Sequence, residues 1–331
     1  SSKIRFGVIG CSRIAKKAVI PALKELKSAE LAMIGSRSME KAASYCKEFD
    51  CNAYGGYEDV INNDRIDAVY ISLPVAMHEE WTIKAAKAHK HVLCEKSSTT
   101  SFESAERMVK ACRKNNVRLL EGFMFRYHPQ HRKVISMIKE DVLGKLLMFQ
   151  GYFGFPFPEA NDPKLSKKLG GGSLNDSAAY PMYASRMLFE EEPISVVCRL
   201  KTDNKYGIDA KCDIMMDYPD GKTAFISSAF GAYFQSKYSL WGSKSFLIVK
   251  RAYAVPKDMK TSIFLDANDE INEIITEPED HFRLMIEDFC HAILYGENKK
   301  NFEDDLLAQA RAMEAARLSN KEKRIVKISE L

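Results

Sequence analysis

The chain has 331 residues, 46% of them hydrophobic and 28% charged, a balance that excludes a disordered polypeptide and, at roughly 150 residues per domain, supplies about two domains. Its 49 basic and 45 acidic residues leave a formal charge of +4. With no long Lys/Arg block, nucleic acid is not an expected partner. The apolar runs, such as Leu146–Phe149, fall far short of the ~20 residues that span a bilayer, so no membrane partner is expected either.

The first segment, KIRFGVIG, reads as a strand without a charged-then-apolar leader, which gives the expectation of a cytoplasmic protein. Strand-like runs follow at Ile4–Ile9, Leu31–Ile34, Ala68–Leu73, His91–Cys94 and Arg118–Leu120. Helical periodicity lies between them: Ile14 to Leu26 and Phe102 to Asn115 each put their apolar residues on one face. Short apolar strands alternating with helices predict a parallel, doubly wound sheet covered on both faces. After a helix near Pro129–Lys139, strands are expected at Leu146–Phe153, Ile194–Leu200, Cys212–Tyr218, Thr223–Ala229, Phe234–Trp241 and Ser245–Val249. Asp220-Gly221 gives a hairpin signal between two of them. This second pattern is that of a largely antiparallel sheet, closed by helices near Phe282–Leu294 and Asp304–Leu318. The fold class expected is therefore α/β: an N-terminal doubly wound parallel sheet over residues 1–121 and a second α/β domain with a mostly antiparallel open sheet over 122–331.

The eight cysteines stand singly, with no C-x-x-C pair, and are expected to be reduced, mostly buried thiols. No metal is expected. His89 and His91, flanking Lys90, are taken as surface residues, and so are His128 and His131 near the domain junction.

GVIGCSRIA ends the first strand and opens the first helix. It contains Gly10-x-Ser12-x-x-Ala15, a variant of the Rossmann dinucleotide fingerprint. Gly10 permits the tight turn and Ala15 allows close helix packing. Ser12 replaces the middle glycine, narrowing the approach to a pyrophosphate but offering a hydroxyl. Arg13 and Ile14 in the same turn are assigned to the cofactor with them, since helix N-terminal N–H groups attract the anion. The second strand ends in Gly35-Ser36-Arg37-Ser38, where an NAD site usually places a carboxylate for the ribose diol. Arg37 suits a 2′-phosphate instead, with Ser36 and Lys41 adding a hydrogen bond and charge. The expected cofactor is NADP(H).

HVLCEKSSTT places Lys96 at a carboxyl-terminal strand edge, which in an open parallel sheet faces the ligand crevice. In LGGGSLNDSAAYPMYASRMLF, Asp176 and Tyr180 stand four apart on one helix face, with Asp176 near the helix start. The preceding loop carries Lys164, Lys167 and Lys168. They read either as contacts for a phosphorylated or nucleotide-linked sugar or as a solvated basic stretch.

On GVIGCSRIA, SRSMEKA, DAVYISLPVAMHEEW, KHVLCEKSS, EGFMFRYHPQ and GGGSLNDSAAYPMYASRMLF, the chain resembles the glucose-fructose oxidoreductase/inositol dehydrogenase (Gfo/Idh/MocA) family over nearly its whole length. The resemblance implies hydride transfer between a nicotinamide and a sugar or polyol carbon. It also implies an antiparallel sheet that commonly forms the subunit interface, hence a homodimer or higher homo-oligomer. It places Lys96, Asp176 and Tyr180 in the catalytic motifs, and Leu73, Pro74, His78 and Glu95 near the cofactor. Arg126 and Tyr127 fall in a segment leading into the cleft, with Arg126 on the substrate. In such a site Tyr180 serves as general acid or base. A free phenol titrates near ~10, and Lys96 lowers that by its charge and polarises the carbonyl. Asp176 orients a substrate hydroxyl or Lys96. Ser97 departs from the family's proline, a position often cis, and Ser12 from its glycine. Departures of that kind occur among nucleotide-sugar ketoreductases, so a sugar or nucleotide-sugar ketoreductase is the first expectation. An aldose or dihydrodiol dehydrogenase and a non-catalytic NADP(H)-binding regulator are the alternatives.

Overall fold

The computed structural model describes residues 2–296 and 301–331. In chain order its first elements are β1 (Ile4–Ile9), α1 (Ile20–Glu25), β2 (Ala29–Gly35), α2 (Met39–Phe49), β3 (Tyr54–Gly55), α3 (Tyr57–Ile61) and β4 (Ala68–Ile71). Next come α4 (His78–Lys87), β5 (His91–Cys94), α5 (Phe102–Lys114), β6 (Leu119–Glu121) and α6 (Pro129–Lys139). The six strands lie in the order β3-β2-β1-β4-β5-β6, all parallel. The central strand β4 is buried at every position, and β1 at all but Arg5, because helices cover both faces. The order reverses between β1 and β4, so the turns after β1, β2, β4 and β5 open at the carboxyl edge where such sheets bind ligands.

The remaining elements are β7 (Leu146–Phe155), α7 (Ala179–Phe189), β8 (Ser195–Thr202), β9 (Asp209–Asp217), β10 (Thr223–Phe230), β11 (Gln235–Gly242), β12 (Phe246–Val249), β13 (Thr261–Ala267), β14 (Glu270–Thr276), α8 (His281–Tyr295), α9 (Phe302–Glu322) and β15 (Val326–Lys327). Nine strands form a second sheet, β14-β13-β12-β11-β7-β10-β9-β8-β15. Only the β7–β10 pair is parallel among its described pairings. Burial alternates along these strands, with Ala224, Ile226, Ser228 and Phe230 inward on β10, as one covered and one open face require. α7 covers the inner face and is buried nearly all round, matching its apolar sequence. Gly151 on β7 lets it approach, since a Cβ there would lie 2.7 Å from Cβ of Pro181.

The chain divides into two compact units: Ser1–Met124 with Phe282–Leu307, and Phe125–His281 with Ala308–Leu331. The expected boundary after residue 121 lies close to the first division. The units also reassign α8, most of which joins the first one. Its buried Met285, Ile286, Phe289 and Cys290 need an apolar partner, and the Phe289 ring lies 6.2 Å from that of Phe6 on β1.

The helix expected over Ile14–Leu26 differs in detail. It opens with a wide π-type turn over Ala15–Val19 before α1 begins. α7 is preceded by the same kind of turn over Leu174–Ala178. In both, a proline (Pro21, Pro181) stands just inside the following helix. Proline has no N–H to donate to the carbonyl four residues back, and both widened turns adjoin that gap.

All eight cysteines are buried and free. His89 is exposed. His128 and His131, expected at the surface, are fully buried with His281. The ring centroids of His128 lie 6.4 Å from His131 and 6.0 Å from His281. Among the described residues no cluster of three His, Cys, Asp or Glu is arranged for a metal. No described helix is long and apolar enough to cross a membrane.

Candidate active site

In the first unit the turn after β1 is built as the fingerprint demands. Gly10 adopts φ +105, and a Cβ there would lie 2.5 Å from the carbonyl oxygen of Ser72, so only glycine fits. Ala15 is fully buried. The Ser12 hydroxyl is engaged inside the turn: its Oγ accepts the N–H of Ala15 at 3.1 Å and hydrogen-bonds to Oγ of Ser72. Ser12 thus ties β1 to the end of β4. Arg13 and Ile14 are exposed.

At the end of β2, Ser36 is buried while Arg37 and Lys41 are exposed. Oγ of Ser36 accepts the N–H of Ser38 at 3.1 Å, and Oγ of Ser38 caps α2 through the N–H of Lys41. No carboxylate occupies residues 35–38. Cys11 lies beside this group. Burial pushes its thiol up, opposed by a hydrogen bond from Ser36 and the charge of Lys41. A site bounded by Arg37, Lys41 and serine donors fits a phosphate on the ribose and leaves a diol without its usual acceptor.

Leu73 is buried and Pro74 partly so. His78, expected near the cofactor, is fully buried inside the protein. Its Nε2 lies 2.6 Å from the carbonyl oxygen of Leu73 and its Nδ1 3.1 Å from that of Ser98. It is therefore a clamp between the β4 turn and the segment after Lys96. Burial pulls its pKa down, and the carbonyls oppose this. Lys96 and Ser97 are joined by a cis peptide bond. The segment is held by Glu121, whose Oε2 accepts the N–H of Ser98 at 2.7 Å. Glu95 receives the phenol of Tyr70 at 2.6 Å and the N–H of Lys96 at 3.3 Å.

In the second unit Tyr180 is 8% exposed. Its ring centroid lies 5.1 Å from Phe153, 5.6 Å from Phe125 and 5.8 Å from Tyr253, so an aromatic box fixes the ring. Asp176 lies on the π-type turn just before α7, four residues ahead of Tyr180. Asp209, on β9, was not singled out by any local signal, yet its Oδ2 accepts the N–H of Leu174 at 2.7 Å in that turn. Arg126 donates from Nη1 to the phenol of Tyr183 and from Nη2 to that of Tyr127, both at 2.7 Å. Its guanidinium is thus pre-set by two aromatic neighbours. Lys164 is half-exposed and 3.6 Å from Oδ2 of Asp162. Its carbonyl accepts the N–H of Gly172 at 2.8 Å, which folds the basic loop onto the glycine cluster. Lys167 and Lys168 are exposed. Of the aromatic residues near this loop, Phe153 is core and Phe157 is open to solvent.

A doubly wound parallel sheet with a glycine turn after its first strand is the architecture of a nucleotide-dependent oxidoreductase. The comparisons agree. Residues 4–123 match the family described as "Oxidoreductase family, NAD-binding Rossmann fold", and residues 131–248 match the GFO/IDH/MocA C-terminal domain. The chain belongs to the Gfo/Idh/MocA family of oxidoreductases. It is 31% identical over 317 residues, 96% of each chain, to a dTDP-3,4-didehydro-2,6-dideoxy-alpha-D-glucose 3-reductase of Actinomadura kijaniata. It is 29% identical to D-xylose 1-dehydrogenase (NADP(+)) 2 of Haloferax volcanii, over 94% of this chain and 95% of that one. The solved structure of KijD10, a 3-ketoreductase from Actinomadura kijaniata in complex with NADP and TDP-benzene, superposes with a TM-score of 0.93 at 30% identity, covering 96% of this chain and 98% of that one.

Proposed function

We propose that the protein is an NADP(H)-dependent ketoreductase of a sugar, and specifically of a nucleotide-linked sugar. The observation that carries this reading is its likeness, from end to end of both chains, to a dTDP-sugar 3-reductase. The coenzyme half rests on the chain itself: Ser36, Arg37 and Lys41 stand where a ribose carboxylate would otherwise be.

The coenzyme, when bound, supplies the hydride. Gly10, Ser12, Arg13 and Ile14 would hold its pyrophosphate, and Ser36, Arg37 and Lys41 its 2′-phosphate. Leu73, Pro74, Glu95 and Lys96 would hold the nicotinamide half. His78 acts behind them, keeping the Leu73 and Ser98 carbonyls in place. Tyr180 gives a proton to the substrate oxygen when a ketone is reduced and takes it back when an alcohol is oxidised. The ammonium of Lys96 favours the phenolate by its charge and polarises the carbonyl. Asp176 orients a neighbouring substrate hydroxyl. Arg126 and Lys164 bind the substrate, cations suited to the diphosphate of a nucleotide-linked sugar.

The open face of the nine-stranded sheet exposes Met215, Phe225 and Trp241, apolar area that suits a homodimer or higher homo-oligomer. Eight free buried thiols suit the reducing cytoplasm. Light scattering on the purified protein tests the first point, and a monomer at all concentrations would refute it.

A second reading, oxidation of a free aldose, is favoured by the likeness to D-xylose 1-dehydrogenase. The deciding assay compares NADPH consumption with dTDP-3,4-didehydro-2,6-dideoxy-D-glucose against NADP+ reduction with D-xylose. Turnover of the keto-sugar alone supports the proposal, and turnover of xylose alone favours the second reading. Silence with both, alongside firm NADPH binding, points to a non-catalytic regulator.

A further inference from the structure

We infer that Asp209 is the positioning residue of the Asp176–Tyr180 helix: reaching over from β9, its carboxylate closes the start of the turn that carries both side chains. The inference rests on the reading that Asp176 and Tyr180 serve the reaction. Oδ2 of Asp209 accepts the N–H of Leu174 at 2.7 Å, and Leu174 opens the turn on which Asp176 stands.

That turn has no cap of its own. Ser173, the residue before it, is in the right-handed helical region and makes no side-chain cap bond. Its hydroxyl is spent on Ser228 at 2.6 Å and Ser177 at 3.1 Å. The first N–H groups of a helix need acceptors from elsewhere, and an anion there is favoured by the helix dipole. Asp209 meets both needs from a neighbouring strand. The glycine cluster is shaped around it. Gly172 adopts φ +107, and a Cβ there would lie 2.1 Å from Oδ1 of Asp209. Gly172 is thus required by an approaching carboxylate, a demand not visible in the local sequence.

Burial pushes the Asp209 carboxylate up to about 6, against hydrogen bonds from the N–H groups of Leu174, Ser173 and Asp209 itself and against the charge of Arg317. Arg317 faces it from α9, paired with Glu314 at 2.7 Å and with Oδ1 of Asn175 at 3.1 Å. On its own strand lies Cys212, whose buried thiol is raised in part by the charge of Asp209. The facing turn contributes the N–H groups of Ser173 and Leu174. The N–H groups of Leu174 and Ser173 hold the carboxylate against its burial, and without that carboxylate they lose their acceptor. The helix start then loosens, and Tyr180 moves off its mark.

The test uses the full chain, as wild type, Asp209→Asn and Gly172→Ala. Amide hydrogen exchange of residues 174–180, corrected for intrinsic rates, is followed at neutral pH, and local opening sets its speed. Asp209→Asn and Gly172→Ala should each exchange at least about tenfold faster than wild type at neutral pH. NADPH affinity should change by less than about twofold. Turnover of dTDP-3,4-didehydro-2,6-dideoxy-D-glucose should fall about tenfold or more in both variants at neutral pH, since a displacement of ~1 Å costs up to ~100-fold. Should one variant fail to fold, the other carries the comparison. Equal exchange in wild type and Asp209→Asn overturns the inference. If Tyr180→Phe keeps full turnover, the underlying reading fails. If Tyr180→Phe is inactive while Asp209→Asn behaves as wild type, only the positioning role does.

Discussion

The phenol of Tyr70, at the centre of β4, donates a hydrogen bond of 2.6 Å to Oε1 of Glu95 at the end of β5. Tyr70 is wholly buried, and burial with the neighbouring Glu95 charge holds its pKa well above the usual phenol value. The neutral O–H therefore stays a donor at any working pH. The carboxylate it fixes is in turn met by the N–H of Lys96. Tyr70→Phe should cost about 2 kcal/mol in urea unfolding, the range for a hydrogen bond to a charged group. It should also weaken NADPH binding, because Lys96 loses its frame. An unfolding midpoint and NADPH affinity equal to wild type would show that Glu95 needs no such support.

Coenzyme choice is assigned to Arg37. NADPH should bind at least about tenfold more tightly than NADH in a fluorescence titration, because a guanidinium matches a phosphate in charge and shape. Arg37→Asp should erase the difference by repelling the 2′-phosphate. Equal affinities in the unmodified protein would refute the assignment.

Tyr180→Phe and Lys96→Ala should each lower turnover by more than about a hundredfold, the scale of a lost general acid and its activating charge. Both should still bind NADPH. The aromatic box of Phe125, Phe153 and Tyr253 has room for the phenylalanine ring, so the loss should reflect the hydroxyl and not misfolding. Near-normal turnover in both variants would remove these residues from the chemistry.

Three buried histidines make the fold sensitive to acid. Burial lowers His128 to about 4 and both His131 and His281 to about 3. Nδ1 of His131 lies 2.8 Å from the Tyr238 phenol and its Nε2 2.9 Å from the Ala252 carbonyl. In the unfolded chain each titrates near ~6.5. The unfolded state thus binds more protons below that pH, and stability falls as pH drops from about 6.5 toward 4. For His128 alone the loss is on the order of 3 kcal/mol. The urea midpoint should therefore fall steeply from neutral to pH 5. His128→Asn, whose side chain can still cap α6 as Nδ1 of His128 does at 3.2 Å, should flatten that fall. A midpoint constant over this range would contradict it.

Much of this protein was legible one residue at a time. β1, β5 and α6 occupy the spans expected of them, because short apolar runs and amphipathic periods are local properties of the chain. The glycine turn, Arg37 and the spacing of Asp176 and Tyr180 were equally local. The β13–β14 hairpin went unread although its turn residues, Asn268 and Asp269, both adopt positive φ (55 and 61), the geometry of a tight primed hairpin turn. The signal was present, but β14 is largely exposed and shows little alternation.

Other features had no local signature. His78 and His128 look alike in sequence to any surface histidine, and only packing made one a clamp between two carbonyls and the other a neutral core residue. Asp209 reads as an ordinary strand aspartate until β9 brings it against Gly172 and Leu174. The return of α8 to the first unit likewise depends on Phe289 finding Phe6. Sequence by itself determined which backbone conformations and which chemical groups were available, since these depend on neighbours a few residues away. Tertiary structure alone decided which of those groups are buried, and so which titrate, which hold others in place and which are left to meet a ligand. Desolvation and hydrogen bonding are set by atoms that come from distant parts of the chain.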